Sequence, residues 1–247
     1  MKRVKTYTDA GVVREVKVFN VADRADVKTV RPPRPRFRDE AERAAHRLAI
    51  ARRRHQGRVN ANFTPASLYG TLTCGSEYEL HTFADGRRVM DNFVRRIRGR
   101  YKDAKIMMYM GRGKTTHRIH FHILCDGVPE AELRRLWTFG EVVRIDHLRE
   151  HNYYNGIDHG PDYTGLANYL FDHWTPEQGG RRWKGTRNLD KPKPGRPMEV
   201  KREYSETRPP RTPKGYILVE RQKTKYGYFY FKFVRRPAPR GGARRQP

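Results

Sequence analysis

From Arg118 to Leu124 the chain alternates polar and apolar residues, within the stretch Thr116-His117-Arg118-Ile119-His120-Phe121-His122-Ile123-Leu124. A period of two is that of a strand. It puts Phe121 and Ile123 on a core face and His120 with His122 on the other, with His117 opposite or at the strand entry. Leu68-Tyr69-Gly70-Thr71-Leu72-Thr73-Cys74 is a second run rich in β-formers. Ala104 to Met110 is a third, and the turn Gly111-Arg112-Gly113-Lys114 leads from it into the histidine strand. A hairpin there sets the histidine pair in the middle of an antiparallel sheet. Glu141 to His147 reads as a further strand. Tyr216 to Glu220 and Tyr226 to Val234 read as a closing hairpin, with Phe229, Phe231 and Phe233 alternating with Tyr228, Tyr230 and Lys232.

Helical spacing fills the gaps. Asp39 to His55 predicts a helix capped by Asp39 and stopped by Gly57. Val89, Met90, Phe93, Val94 and Ile97 form the apolar stripe of a second helix ringed with arginine. Pro129 opens a short third, through Trp137. Asp162 is the expected cap of a fourth, running to about His173 with Tyr163, Leu166, Ala167 and Leu170 as its stripe. Tyr169 lies off that stripe, beside Asp172 and His173. The sum is an α+β fold, a central antiparallel sheet of about five strands with helices packed on it. Residues 1–56 read as a basic N-terminal arm and helix, 57–236 as the folded domain with a basic loop at 175–213, and 237–247 as a basic disordered tail.

Composition sharpens the picture. The net charge is +26, from 53 Lys and Arg against 27 Asp and Glu, and arginine's flat fork suits phosphate, so a polyanionic partner is the plainest cause. No run of 18 apolar residues exists, which argues against a membrane partner or a secretory signal and for a cytoplasmic location. Cys74 and Cys125 both fall in strand-like runs and read as reduced core residues. No phosphate-loop motif is present, so any unwinding must come from a partner. Two imidazoles side by side on a strand are a natural start for a divalent metal site. Trp183 among Arg181, Arg182, Lys184 and Arg187 can anchor a loop or stack on a base.

The ordered set carries more than any of its parts. Leu72-Thr73 on a strand is followed by His120-Phe121-His122 on a strand, then Leu166-Ala167-Asn168-Tyr169 on a helix, then Trp183-Lys184-Gly185-Thr186-Arg187-Asn188-Leu189. Over roughly 60–234 this resembles the HUH endonucleases, specifically the rolling-circle replication-associated proteins of phages and plasmids. The resemblance implies an RRM-like palm and a metal-dependent nickase and strand-joining enzyme acting on single-stranded DNA or an origin hairpin. Tyr169 would attack the scissile phosphate, leaving a 5′-phosphotyrosine and a free 3′-hydroxyl for a host polymerase, with a host helicase as further partner. His120 and His122 would hold Mg²⁺ or Mn²⁺. Arg112, Lys114 and Arg118 would join Arg181, Arg182, Trp183, Lys184 and Arg187 in gripping nucleic acid. Family members commonly supply a glutamate just before the histidine strand, where this chain has Gly111, and a lysine three residues after the tyrosine, where it has Asp172. His117 is the expected substitute third ligand. The alternative reading is a weakened member that only binds single-stranded nucleic acid.

Overall fold

A computed structural model of the chain describes residues 1–32, 35–78, 80–113, 118–224 and 228–237. The described elements run, in chain order, β1 (Lys2–Ala10), β2 (Val13–Val21), α1 (Glu40–Asn62), β3 (Leu68–Thr73), α2 (Phe83–Arg100), β4 (Lys105–Arg112), β5 (Ile119–Asp126) and α3 (Glu130–Leu136). There follow β6 (Val142–His147), β7 (Tyr153–Tyr154), β8 (Ile157–Asp158), α4 (Thr164–Asp172), β9 (Lys184–Gly185), β10 (Met198–Glu199), β11 (Tyr216–Lys223) and β12 (Tyr228–Arg235). They form two compact units, one of residues 47–150 with 163–191, the other of 1–46, 151–162 and 192–247. The architecture is α+β with antiparallel strand pairing, as expected. It holds two five-stranded sheets where one central sheet was expected.

The first unit carries a sheet of order β6-β3-β5-β4-β9 with the histidine strand in its centre. His122 pairs with Thr71 of β3 and Tyr109 of β4, and His120 with Thr73 and Gly111. One face is the main core. Phe121, Ile123 and Cys125 of β5 and Ile106, Met108 and Met110 of β4 lie under Val89, Met90, Phe93 and Ile97 of α2. That helix starts at a full capping box, in which Thr82 and Asp85 satisfy each other's backbone N–H groups. On the opposite face Met107, Tyr109 and Leu124 pack with Val59 of α1 and with Ala167 and Leu170 of α4. A fully buried leucine such as Leu170 contributes roughly 1.5–3 kcal/mol to holding α4 there.

Several boundaries differ from the sequence expectation, and β4 runs on through Gly111 and Arg112, the expected start of the turn. α1 runs through Gly57 to Asn62. The cost of an interior glycine is only about 1 kcal/mol, and the continuation buries Val59 completely, which outweighs it. α4 has Tyr163, not Asp162, at its N-cap. Asp162 is instead fully buried, with its carboxylate 2.9 Å from Lys232 Nζ. The basic segment expected as a loop at 175–213 is partly sheet. β9 pairs with β4 at Met107 and Met108, Thr186 and Ile106 exchange hydrogen bonds of 3.1 Å, and Asn188 Nδ2 donates to the Asp103 carbonyl at 2.9 Å.

The second unit carries a sheet of order β10-β1-β2-β12-β11. The expected N-terminal arm is here a nine-plus-nine-residue hairpin, turned at Gly11 with φ 60°. Its lysines and arginines alternate with Val4, Val16 and Val18, so the strands bury one set of side chains despite their charge. Val16 and Val18 pack with Phe231 and Phe233 of β12. The closing hairpin β11–β12 forms as expected but joins this sheet. Both cysteines are buried and free, and burial pushes the Cys74 thiol up to about 11 and the Cys125 thiol up to about 12, so neither is a reactive thiolate. Beyond Pro237 the expected tail lies outside the described residues. Among the described residues no helix is long and apolar enough to cross a membrane.

Candidate metal centre

β5 presents His120 and His122 to the face on which α4 is docked. α4 ends at Asp172, and the next residue, His173, turns back over the pair. One nitrogen from each of His120, His122 and His173 lies within 4.8 Å of the other two. Ring centroids stand 5.1 Å apart for His120 and His122, 4.5 Å for His122 and His173, and 5.6 Å for His120 and His173. This triad could hold a metal ion.

Hydrogen bonds orient the rings for that role. His122 is 3% exposed, and its Nδ1 lies 2.9 Å from the Tyr69 hydroxyl and 3.1 Å from Thr71 Oγ1. The Tyr69 ring stacks on it at an interplanar angle of 15°. That occupies Nδ1 and leaves Nε2 buried without a hydrogen-bond partner among the described residues. An orphaned buried nitrogen is costly unless something fills its lone pair, and a metal ion would. His173 Nδ1 lies 2.9 Å from the Tyr169 carbonyl. A carbonyl only accepts, so Nδ1 carries a proton and Nε2 is the nitrogen turned to the cluster, the usual arrangement behind a liganding histidine. Burial, followed by His173 and His120, pushes the His122 pKa down to about 3, and burial with His173 lowers His120. Both imidazoles are therefore neutral, as metal ligands must be.

Gly111 explains why the expected carboxylate is missing. It pairs with His120, and a Cβ built on it would stand 2.9 Å from His120 Nε2 and 2.9 Å from His173 Cδ2. The imidazoles fill the space a side chain would need. The third imidazole comes from the end of α4, a residue the strand-centred reading missed. Its signal was helical spacing, since Tyr169 and His173 are one turn apart and share a face. His117 and Lys114 lie outside the described residues.

Tyr169 is half exposed, and its ring centroid is 4.3 Å from His173 and 5.7 Å from His122. Its phenol also acts electrostatically on Tyr69. The rival Tyr163 is 2% exposed and donates its hydroxyl to the Arg149 carbonyl at 3.1 Å, which commits it to the core. Asp172 makes a two-pronged contact with Arg52, at 2.6 and 2.8 Å, and these hydrogen bonds lower its pKa. It stays ionised, with its charge answered from α1. Away from this cluster, His159 is buried and His151 Nδ1 lies 2.7 Å from the Asp158 carboxylate.

The expected nucleic-acid residues divide. Arg181, Arg182, Trp183, Lys184 and Arg187 line one groove of about 930 Å³. Arg112 is exposed at the end of β4 with its guanidinium 4.7 Å above the Phe83 ring, and Arg118 donates to the Cys74 carbonyl at 2.8 Å. Comparison of the chain with protein-family models, with curated proteins and with solved structures found no match.

Proposed function

We propose that the chain is a metal-dependent nickase of single-stranded DNA in which Tyr169 is the nucleophile, as in the HUH endonucleases it resembles. The observation that carries this reading is the placement of a half-exposed phenol against a three-imidazole cluster, in a chain of net charge +26. His120, His122 and His173 are the ligands. Three neutral nitrogens suit Mn²⁺ and later first-row ions better than Mg²⁺, which prefers oxygen. When bound, such an ion supplies Lewis-acid polarisation of a phosphoryl oxygen.

The protein's own groups do the rest. The Tyr169 oxygen bonds to phosphorus as the bond from phosphorus to the 3′-oxygen breaks, giving a 5′-phosphotyrosine. The proton Tyr169 sheds equals the one the leaving 3′-oxygen takes up, so no water is consumed and the joint can be resealed. Tyr69 and Thr71 hold the His122 ring by its Nδ1 and turn Nε2 towards the cluster. Asp172 stands where members of that family commonly carry a lysine, and Arg52 of α1 pairs with it there. Arginines elsewhere neutralise the strand.

The test is an adduct assay. A panel of single-stranded and hairpin oligonucleotides is incubated with Mn²⁺ and run on a denaturing gel. A protein–DNA band is expected for the natural chain and not for Tyr169→Phe. Cleavage that survives Tyr169→Phe would replace the phenol by water as nucleophile. Bound DNA with no adduct anywhere in the panel would leave a binding protein only.

A further inference from the structure

We propose that the groove at the β4–β9 edge of the sheet seats one nucleotide of the DNA strand, its base against Trp183 and its phosphate among the arginines. The proposal rests on the reading of single-stranded DNA as substrate and adds a seat for it.

The groove is built, not adventitious. Its wall is the segment around β9, clamped to β4 by the exchange between Thr186 and Ile106 and to the end of α1 by another between Asn62 and Asp190, at 2.7 and 3.0 Å. A preformed wall spares the ordering cost that a free loop would pay on binding. Trp183 is partly exposed and lies close over Gly185, where a Cβ would stand 2.4 Å from its Cζ3 and 2.7 Å from Leu189 Cδ1. Only glycine allows the indole to lie down there. Arg58 of α1 caps the ring, its guanidinium 5.1 Å from the centroid. A base would displace the Arg58 guanidinium from the exposed part of the ring and stack there, releasing that cation to the phosphate.

The charge is one-sided. Arg58, Arg87, Arg181, Arg182, Arg187 and Lys191 line the groove, and its lining acid, Asp91, is already paired with Lys184. Burial lowers the pKa of Arg58, and burial followed by Arg52 lowers that of Arg182 against the opposing pull of Asp172, so a further anion would favour both charged forms. Phosphate supplies one, with the bidentate geometry that guanidinium favours. The volume of about 930 Å³ lies within the range of ligand clefts.

The groove also adjoins the metal centre. Met110 and Phe171 line it, and Gly111 and His173 of the imidazole cluster are their near neighbours in sequence. Gln178, another lining residue, donates from one Nε2 to the His173 carbonyl at 3.1 Å and to the Met110 carbonyl at 3.2 Å. A strand with its scissile phosphate at Tyr169 therefore lays a nearby nucleotide into the groove. Because stacking reads a π-face, this seat fixes the strand's position with little regard to base identity.

The experiment uses the full chain in EDTA with thymidine 12-mers carrying single 5-iododeoxyuridine substitutions. Photocrosslinks are mapped by mass spectrometry, and affinity is read by fluorescence anisotropy. The dominant crosslink is expected on Trp183. Trp183→Leu should weaken binding about tenfold and Trp183→Phe by less than threefold. Arg187→Gln should lower affinity at every sequence and reduce the salt slope by about one. DNA bound with crosslinks only elsewhere would overturn the proposal, as would tenfold tighter binding of the matching RNA. Crosslinking at Trp183 without a Tyr169 adduct on any DNA would leave the seat standing and remove the nickase. An adduct with no Trp183 crosslink would do the reverse.

Discussion

A single methyl group at Gly111 separates a metal centre from a coincidental cluster of histidines. The Cβ of Gly111→Ala would stand 2.9 Å from His120 Nε2 and 2.9 Å from His173 Cδ2. Carbon atoms rest about 3.5–4.0 Å from such neighbours, so the two rings must together yield about 0.6 Å or more on each contact. Metal–ligand distances tolerate about 0.2 Å. Disturbing the support of liganding histidines typically costs about 10–100-fold in affinity, or about 1.4–2.8 kcal/mol. The fold feels the change differently. Alanine in a strand is favoured over glycine by roughly 0.5–1 kcal/mol, which offsets part of the crowding. The expected result is a fall of one to two decades in Mn²⁺ affinity with nearly unchanged stability of the metal-free protein. Isothermal titration with Mn²⁺ reads the first, and thermal unfolding in EDTA reads the second. Unchanged Mn²⁺ affinity in Gly111→Ala would refute the assignment of His120 and His173 to one ion. A large loss of metal-free stability would show instead that Gly111 serves packing.

Two further outcomes follow from buried charge. Burial, then Arg58 and Arg52, push the His55 pKa down from 6.5 to about 4. The unfolded chain therefore takes up this proton first, so the stability is intact above pH 6.5 and is lost as pH falls towards 4, by about 3 kcal/mol in full. Urea melts from pH 7 to 4 should show a shallower decline in His55→Phe, and equal slopes would sink the assignment. Lys232→Met removes the cation 2.9 Å from the fully buried Asp162 carboxylate and leaves it with His159 Nδ1 at 3.5 Å. A loss of about 3–5 kcal/mol is expected, partly recovered by adding Asp162→Asn, and a loss below about 1 kcal/mol would contradict the buried pair.

The sheet around the histidines was legible because its signals are local. Alternation in β5 and the apolar stripes of α2 and α4 lie within a few residues of the positions they fix. What was not legible depends on distant partners. Val18 of β2 pairs with Phe229, on the far side of the chain, and that pairing carries the basic N-terminal hairpin into a larger sheet. β9 is two residues long, held by Thr186 across to Ile106, and looks in sequence like any Gly- and Arg-rich loop. Asp172 read as a missing cation because its partner Arg52 lies 120 positions away. Tyr69 and Thr71 sat in plain view on β3, but which strand face meets His122 is set by the pairing register.

The displacement of the third ligand from strand to helix changes what the site can do. A carboxylate on the β4 edge would fix the ion to the sheet alone, and the nucleophile would then depend on how α4 happened to dock. Here His173 Nδ1 bonds the carbonyl of Tyr169 itself, so the imidazole and the phenol are parts of one helical turn. Any ion that draws His173 towards His120 and His122 draws Tyr169 with it. Ala167 and Leu170 set the depth of that turn, the contact of Gln56 with Asn168 at 2.7 Å sets its rotation, and Arg52 holds its end through Asp172. In the proposed nickase, ion binding and positioning of the Tyr169 nucleophile would then be one equilibrium. On that ground, adding Mn²⁺ should protect the α4 amides from hydrogen exchange in the natural chain and should not in His173→Ala.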